Sequence, residues 1–587
     1  MRDYLFRGPL AELDPDVFEL TQLELERQYR RLILIPSEST APVAVREALS
    51  SAFQNIYAEG YPDEDTRWMD DADILDYEQR LAHYRRYSDP RYYKGVEYAN
   101  AIEALARRRV AQTFAANGVS ADDLYVNVQA LSGAPANNAI YHALVEPGAT
   151  VMGMNLLHGG HLSHGSPVNR SGKYYNIVHY TVNAETERLD YEEIAELAIE
   201  HKPKMIIGGF SSYPWAADWE QLRAIADSVG AYLLTDIAHV AGLVAAGVYP
   251  SPIGHAHVVT STTHKTLNGP RGAIILTTDK KLAEQIDRAV FPGEQGGPHV
   301  NVFAALALTF KITQTEDFKA LQAQVIKNCV LLTQAIEKRG LRIPFGGTNS
   351  HLTNVDVSSV KGPTGTALSG DMAARILDLA GIVVNRNTIP GDRSAFNPSG
   401  IRLGTPWITQ RGFTEKESAQ LGDLIADLLL ACQPYRERSA SKLSQRAKVD
   451  FEALTQTKLA VRDLALAAGV DFEPPQHGYP HFYYADDEPK SDAKWIGLEI
   501  RGDKANDLLN IALVSDIESL AAGDTAPSRL RLPQAEVDAS VTYRGPDDFL
   551  LSVPRAQAGL VAASRAPSAL LASARRSALG KWLLSQC

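Results

Sequence analysis

Short apolar runs alternate with helix-like segments from about residue 121 to residue 320, and this alternation strongly constrains the fold. We predict buried strands at VMGM (151–154), KMIIGGF (204–210), AYLLTDIAH (231–239), HVVTST (257–262) and GAIILTT (272–278). Helical patterns lie between them, at 190–201 and 218–230. Fully apolar strands that alternate with helices are typical of a parallel sheet covered on both faces. The sequence therefore predicts an α/β fold with a mostly parallel sheet.

The pattern changes near residue 319 to a long helix, short strands and a closing helix at 414–433, which indicates a smaller α+β domain. A chain of 587 residues is long enough for several domains. We predict an N-terminal helical arm (1–50), a large domain (51–318) with an insertion (63–90), a small domain (319–435), a helical linker (436–475) and an extra C-terminal α+β unit (476–587).

Charge and composition exclude several classes of protein. Lys and Arg number 58 and Asp and Glu number 70, for a net charge of −12, which argues against a globally basic nucleic-acid binder. The three cysteines have no metal-ligand spacing and suggest a reducing compartment. We find no signal-peptide pattern and no run of the roughly 18 apolar residues that span a bilayer. We expect a soluble, cytoplasmic protein with neither membrane nor nucleic acid as a partner.

A lysine follows one of the predicted strands, in the segment STTHKTLNGPRG (261–272). Burial lowers the pKa of a lysine, and a neutral amine can bond covalently to an aldehyde cofactor. Lys265 alone favours the simpler interpretation, a surface lysine at the end of a strand. Asp236 ends an earlier strand, where doubly wound sheets bind ligands. It could pair with a pyridinium nitrogen or cap the next helix, and His239 lies about one helical turn farther on.

Three further segments carry candidate binding groups. Small residues at 130–138 open a helix whose free N–H groups could hold a phosphate. Three histidines between His158 and His164 could suggest zinc, but their spacing fits no structural zinc site, and we expect no metal. Arg402, between two glycines, could bind a carboxylate or form a structural salt bridge.

Taken together, the segments from about residue 15 to residue 435 closely resemble the serine hydroxymethyltransferase family, in order and spacing. The stretches that carry the resemblance are LIPSE (34–38), YAEGYP (57–62), RYY (91–93), MNLLHGGHLSHGSPV (154–168), KPKMIIGGFS (202–211), DIAHVAGLVAAGVYP (236–250), STTHKTLNGPRG (261–272), FPGEQGGP (291–298) and SGIRLGTP (399–406). The resemblance implies a pyridoxal-phosphate enzyme of the aspartate-aminotransferase-like fold (fold type I) that interconverts serine and glycine, with tetrahydrofolate as cosubstrate.

The resemblance also implies roles for single residues. It makes Lys265 the Schiff-base lysine, Asp236 the partner of the pyridine nitrogen, and His158 the residue stacked on the cofactor ring. The other implied cofactor contacts are Ser132, Gly133, Ser211, His239, His264 and, from the neighbouring subunit, Gly297. The implied substrate and folate contacts are Ser37, Tyr57, Glu59, Tyr92, Tyr93 and Arg402, with Glu59 as the acid/base group. A homodimer or dimer of dimers with shared sites follows from the position of Gly297.

Two departures from the family pattern affect these expectations. The phosphate turn reads Ser132-Gly133-Ala134 where the family usually has a second serine, and one lost hydrogen bond to a charged group costs about 1.5–3 kcal/mol. The insertion 63–90 stands where the family has only a few residues, beside the implied folate entrance. It could cover the folate site, narrow it in favour of a bulkier amino acid such as α-methylserine, or form a subunit contact.

The C-terminal unit has no counterpart in that family. Its segments 495–517 and 548–553 loosely resemble part of the glycine-cleavage aminomethyltransferase, without a catalytic carboxylate that could be transferred. A structural or subunit-contact role is favoured. For the whole chain, the alternatives to serine–glycine transfer are an α-methylserine hydroxymethyltransferase, a folate-independent aldolase and a non-catalytic scaffold of the same fold.

Overall fold

The computed structural model describes residues 5–438, 443–473, 495–501, 505–532, 535–554 and the short pieces 556–557, 561 and 584–585. Contacts between residues divide the chain into two units, Met1–Phe482 and Tyr483–Cys587. Within the described ranges, no helix combines the length and apolar character that crossing a lipid bilayer requires.

The first part of the larger unit is an α/β domain preceded by a helical arm. Its elements are, in chain order, α1 (Leu10–Leu13), α2 (Pro15–Arg30), β1 (Leu32–Ile33), α3 (Val43–Leu49), α4 (Asp71–Ile74), α5 (Tyr77–Tyr87), α6 (Glu97–Phe114), β2 (Tyr125–Asn127), α7 (Gly133–Leu144), β3 (Thr150–Met154), α8 (Arg170–Tyr174), β4 (Asn176–Tyr180), α9 (Tyr191–His201), β5 (Met205–Gly208), α10 (Trp219–Val229), β6 (Tyr232–Asp236), α11 (Ala241–Ala245), β7 (Val258–Thr262), β8 (Ala273–Thr277), α12 (Lys280–Arg288) and α13 (Val300–Ile312). The five predicted strands and both predicted helices are present.

These strands form one sheet in the order β2-β8-β7-β6-β5-β3-β4. The pairs from β4 through β7 are parallel, whereas β8 is antiparallel to both β2 and β7. Successive residues of one strand enter the two cores on opposite faces of the sheet: Met205 and Ile207 enter one, and Ile206 the other. Both faces are therefore apolar, which explains the continuous apolar runs in the sequence. The predicted mostly parallel sheet is confirmed.

The second part of the larger unit is the small domain. Its elements are α14 (Glu316–Lys338), β9 (Leu352–Asp356), α15 (Gly370–Leu379), β10 (Ile382–Val383), β11 (Asn385–Asn387), β12 (Gly400–Gly404), α16 (Pro406–Gln410), α17 (Glu415–Leu430), β13 (Cys432–Arg438), β14 (Leu443–Val449) and α18 (Phe451–Ala467). Strands β11, β12 and β9 form an antiparallel sheet, and β10 pairs in parallel with β1 of the arm. The arm is thereby part of the core of the small domain, where Leu32 and Leu34 are fully buried.

The helical interpretation of the linker is wrong for residues 436–438 and 443–449. Strands β13 and β14 pair as an antiparallel hairpin with Cys432 opposite Val449, and only α18 is helical. Cys432 and Pro434 are buried while Gln433 between them is exposed, which is the two-residue period of a strand. Charged residues are solvated in a helix and in a strand. The charged residues around 436–448 therefore gave no sign of the two-residue period.

The insertion 63–90 contains a 3-10 turn at Glu64–Trp68 followed by α4 and α5. It packs on α6 and on the start of β2. The Arg67 guanidinium lies 3.5 Å from the centre of the Tyr125 ring and donates to the Leu124 carbonyl oxygen at 3.1 Å. The Asp71 carboxylate pairs with Arg109 of α6 at 2.8 Å.

A buried arginine joins the two ends of this insertion. The side chains of Arg91 and Glu103 form an ion pair at 2.5 Å, and both are 0% exposed. Arg91 also donates to the carbonyl oxygens of Ala58 and Gly60, at 2.8 and 2.9 Å. The Tyr92 N–H donates to the Glu59 carbonyl oxygen at 3.0 Å. The chain before the insertion is thus held directly against the chain that follows it, and we call this set of contacts the Arg91 clasp.

Residues described from the second unit form β15 (Trp495–Arg501), α19 (Ala505–Ala512), β16 (Thr525–Leu532), β17 (Ala535–Gly545), β18 (Asp548–Pro554) and β19 (Leu584–Ser585). The strands make an antiparallel sheet in the order β16-β17-β18-β15-β19. Leu509 of α19 packs in one apolar cluster with Val541 and Phe549 of the sheet. This unit has its own core, and its resemblance to the aminomethyltransferase stays a prediction.

We predict that Arg91→Met strongly destabilises the first unit. Removing one partner of a buried ion pair leaves an uncompensated charge, which costs about 3–5 kcal/mol of unfolding free energy. Urea denaturation of the full chain, followed by tryptophan fluorescence, measures this change. Arg85→Met, an exposed position of α5, is the matched control and should change stability far less. Equal effects of the two substitutions would contradict a stabilising role for the clasp.

Candidate active site

A cavity of about 220 Å³ lies where β6 and β7 end and where α7 begins. Its lining residues are Ser132, Gly133, Ala134, His161, His164, Phe210, Ser211, Asp236, Ala238, His239, Thr262, His264 and Lys265. Seven of the predicted cofactor residues meet here: Ser132, Gly133, Ser211, Asp236, His239, His264 and Lys265. Doubly wound sheets bind ligands at the carboxyl ends of their strands, and this cavity has that position.

Lys265 follows β7 by three residues and points into a protein environment that disfavours its charge. Burial lowers the pKa of Lys265 to about 8, with Arg402 and Arg271 adding to the effect and Asp236 opposing it. Near neutral pH a larger fraction of this amine is therefore neutral than of an ordinary lysine. This is the property that a nucleophilic lysine requires, and a surface lysine would lack it.

Asp236, the last residue of β6, is held by three hydrogen bonds. Its carboxylate accepts from the Asn137 amide at 2.9 Å and the Ala238 N–H at 3.0 Å, and the His164 Nε2 lies 3.1 Å away. Burial raises the pKa of Asp236, but the His164 hydrogen bond and the neighbouring cationic groups together lower it below its ordinary value. The carboxylate stays ionised and can stabilise a cation in the cavity. The helix α11 has Val240 at its N-cap, so Asp236 does not cap it.

His161, which sequence reasoning did not single out, lies in the 158–164 segment. It lines the cavity, and burial lowers its pKa to about 4, which leaves the ring neutral. Gly160 fixes the chain here, because a Cβ would come 2.1 Å from the Met154 carbonyl oxygen. The ligand atoms of His161, His164 and Asp236 lie within 4.8 Å of one another, a spacing compatible with a metal ion. Within this group Asp236 hydrogen-bonds to His164, whereas the His161 Nδ1 lies 2.7 Å from the Ser163 hydroxyl oxygen.

His158, by contrast, does not line the cavity. It ends a short 3-10 turn, and its Nδ1 accepts the Val182 N–H at 3.2 Å. The structure therefore does not bring His158 to the wall of this cavity, and its stacking on a cofactor ring stays a prediction. Because three histidines stand within seven residues, the sequence alone could not show which rings face the cavity; in the structure His161 and His164 do.

One side of the cavity is suited to an anion. Ser132 is the N-cap of α7, yet its side chain makes no capping hydrogen bond, which leaves the hydroxyl available to a ligand. The Nδ1 of His264 is buried without a hydrogen-bond partner in the described part of the chain. Ala134 and Thr262 complete this wall. Free N–H groups at a helix start, a hydroxyl and an imidazole fit a phosphate.

Arg402 on β12 is a largely buried cation. Its guanidinium donates to the Ser211 carbonyl oxygen and to the Asn385 side-chain oxygen, the latter at 2.9 Å, while its Nε has no partner among the described residues. Burial lowers the pKa of Arg402 to about 10. No carboxylate of the described chain pairs with it, so the salt-bridge interpretation is not supported and an anionic ligand is favoured. Ser37 follows Pro36, which packs against Gly404 of the same strand.

The remaining predicted residues form a second cluster on the surface. The Tyr57 hydroxyl donates to the Glu59 carboxylate at 3.3 Å and accepts the Gly297 N–H at 3.3 Å. The rings of Tyr57 and Tyr93 are 5.0 Å apart, and Tyr92 is 74% exposed. A Cβ at Gly297 would lie 2.6 Å from the Tyr57 ring. None of these residues lines the Lys265 cavity, so one chain does not bring Glu59 to the lysine.

We predict that Lys265 of the cofactor-free protein is acetylated at lower pH than other lysines. Only the neutral amine reacts, and a pKa near 8 keeps Lys265 partly neutral where an ordinary lysine, with a pKa of about 10.4, is protonated. Peptide mass spectrometry after acetylation at a series of pH values gives the midpoint. Lys280, exposed and paired with Glu64, is the control and should react only at higher pH. Coincident midpoints would refute the lowered pKa.

The profile of the family described as serine hydroxymethyltransferase matches the chain over residues 10–89 and 82–425. The two matched stretches overlap within the insertion 63–90. Together they cover the arm, the large domain and most of the small domain. Members of this family are fold-type-I pyridoxal-phosphate enzymes, in agreement with the observed sheet.

Proposed function

This chain belongs to the serine hydroxymethyltransferase family, and we propose that it interconverts serine and glycine by transferring a hydroxymethyl group to and from tetrahydrofolate. The observation that carries the proposal is the composition of one cavity. It combines a lysine of lowered pKa with an ionised, buried carboxylate, Asp236. Arg402 lies close enough to lower the pKa of Lys265 and has no carboxylate partner among the described residues.

The residues of the cavity fit pyridoxal phosphate. Lys265 would bond to its aldehyde, Asp236 would pair with its ring nitrogen, and His161 would lie against the ring face. The further contacts would be Ser211 and His239 to the phenolic oxygen, and Ser132, Gly133 and His264 to the phosphate. When bound, the cofactor withdraws electrons from the amino acid and so weakens the bond between Cα and Cβ. Asp236 supports this chemistry because its charge favours a protonated ring nitrogen.

Arg402 is the group that would orient the amino acid. A guanidinium fork binds a carboxylate in a fixed plane, and a buried fork does so more strongly than one in water. Ser37 would assist from the segment that follows β1. The carboxylate of the substrate would then be the anionic partner of Arg402.

We assign the proton transfers at the hydroxymethyl group to Glu59, acting across a subunit boundary. Its cluster with Tyr57 and Gly297 is partly exposed and lies outside the Lys265 cavity of the same chain. In a homodimer with shared sites, this cluster would complete the cavity of the partner, with Tyr57, Tyr92 and Tyr93 lining the amino-acid and folate region. The exposure of these aromatic side chains in one chain supports this arrangement.

The experiment that tests the function compares amino-acid substrates on the full chain loaded with pyridoxal phosphate. We expect an absorbance band near the visible edge, and formation of glycine from serine that depends on tetrahydrofolate. Lys265→Ala should lose the band and nearly all turnover, whereas Lys280→Ala, an exposed control, should lose neither. Faster turnover of α-methylserine, or turnover without folate, would favour one of the alternative activities. No cofactor binding at all would indicate a scaffold.

We predict that two inactive variants restore activity when they form mixed dimers. Lys265→Ala keeps Glu59, and Glu59→Gln keeps Lys265, so a mixed dimer with shared sites contains one intact site. Random exchange of subunits should give about a quarter of wild-type activity, since half of the dimers are mixed and each has one good site. Activity is measured before and after exchange of the purified variants.

The control for this exchange pairs Lys265→Ala with Asp236→Asn. Both residues line the same cavity of one chain, so no mixed dimer of these variants gains an intact site. Restoration in the control, or none in the Glu59→Gln mixture, would show that the sites are not shared in the proposed way.

A further inference from the structure

Two buried histidines pack against each other at the wall of the cavity. The Nδ1 of His239 lies 3.2 Å from the Nε2 of His351, and the ring centres are 5.4 Å apart. His351 precedes β9 in the small domain and is 0% exposed, whereas His239 is 6% exposed and lines the Lys265 cavity. His351 does not itself line the cavity, and it contacts His239, which does.

Both rings are neutral. Burial lowers the pKa of His351 to about 3 and that of His239 well below its ordinary value, and the cations Lys265 and Arg402 lower both further. A neutral imidazole has one N–H donor and one acceptor nitrogen. The contact between the two rings is consequently a single hydrogen bond whose direction depends on which ring carries the proton at the contact.

The surroundings of His351 give that direction. Its other nitrogen, Nδ1, is buried and has no hydrogen-bond partner in the described part of the chain. A proton on Nδ1 would be a buried donor without an acceptor, which is rarer in proteins than an incompletely satisfied acceptor. The proton of His351 is therefore placed on Nε2, from which it is donated to the Nδ1 of His239.

We propose that His351 is a positioning residue that holds His239 in the tautomer protonated at Nε2. With Nδ1 of His239 accepting from His351, Nε2 is the ring nitrogen left to meet a ligand, and it meets that ligand as a donor. The inference rests on the proposed function only for the acceptor, the phenolic oxygen of the cofactor. The tautomer itself is a property of the protein.

The position of His239 does not depend on this contact alone. The Thr266 hydroxyl donates to the His239 carbonyl oxygen at 3.0 Å, and Gln322 in turn donates to the Thr266 carbonyl oxygen at 2.8 Å. These bonds fix the main chain independently of residue 351. A substitution of His351 can therefore change the tautomer while the backbone of His239 stays in place.

Histidine tautomers are distinguished by two-bond 15N–1H correlation spectra, recorded here on the full chain with 15N-labelled histidine. The protein has 15 histidines, and the signals of His239 are identified by their loss in His239→Gln. We expect a protonated Nε2 and an unprotonated Nδ1 in the wild type. His351→Phe keeps the ring but removes the donor, and should convert His239 to a mixture of tautomers. His351→Gln offers an amide donor and should restore the wild-type pattern.

Spectra are recorded with and without pyridoxal phosphate, so that the outcome does not depend on cofactor binding or turnover. A wild-type His239 protonated at Nδ1 would overturn the proposal, and this measurement needs no variant to fold. An unchanged His239 pattern in His351→Phe would overturn it as well. Failure of the proposed function would instead leave these patterns intact while the cofactor band is absent.

Discussion

The site depends on the balance of buried charge around Asp236. This carboxylate lies at the end of a central strand, where burial raises its pKa, and it stays ionised because the His164 hydrogen bond and nearby charges, Lys265 among them, outweigh burial. Its charge in turn limits how far the pKa of Lys265 falls. Asp236 likewise opposes the lowering of the pKa of His161. The parallel sheet supplies the framework, since the ends of β6 and β7 bring Asp236 and Lys265 to one edge.

The buried strands and the position of the site could be predicted from the sequence, because both depend on local hydrophobic patterns. Each residue of β5 and β7 is buried. The β5 run, MIIG, is continuously apolar, whereas β7 begins with two valines and ends with Thr260, Ser261 and Thr262. Asp236 ends β6 and Lys265 follows β7 by three residues, so their shared position at the sheet edge follows from topology. Arg402 was ambiguous in isolation, because only the structure shows that no acidic residue of the described chain accompanies it.

Other features depend on contacts that a local pattern does not record. His158 and His161 occupy the same glycine-rich loop, and the direction of each ring is decided by Val182 and by the turn at Gly160. His351 stands over a hundred residues from His239 and had no motif to mark it. The hairpin at 432–449 was hidden by charged residues, whose solvation is the same in a strand and in a helix. The proposed role of the surface cluster around Glu59 involves a second subunit, which a local pattern in one chain does not record.

Because of the Arg91 clasp, the positions of the residues that flank the insertion do not depend on the length of the insertion. The two ends of the insertion are already joined. Extra residues between them therefore cost only the entropy of closing a longer loop, a free energy that rises by about 0.6 kcal/mol for each doubling of loop length. Glu59 and Tyr92 stay hydrogen-bonded to each other whatever the chain does between them. This position can accordingly accept segments of very different size in evolution. For engineering, it is a place where a foreign peptide can be grafted without moving the residues on either side.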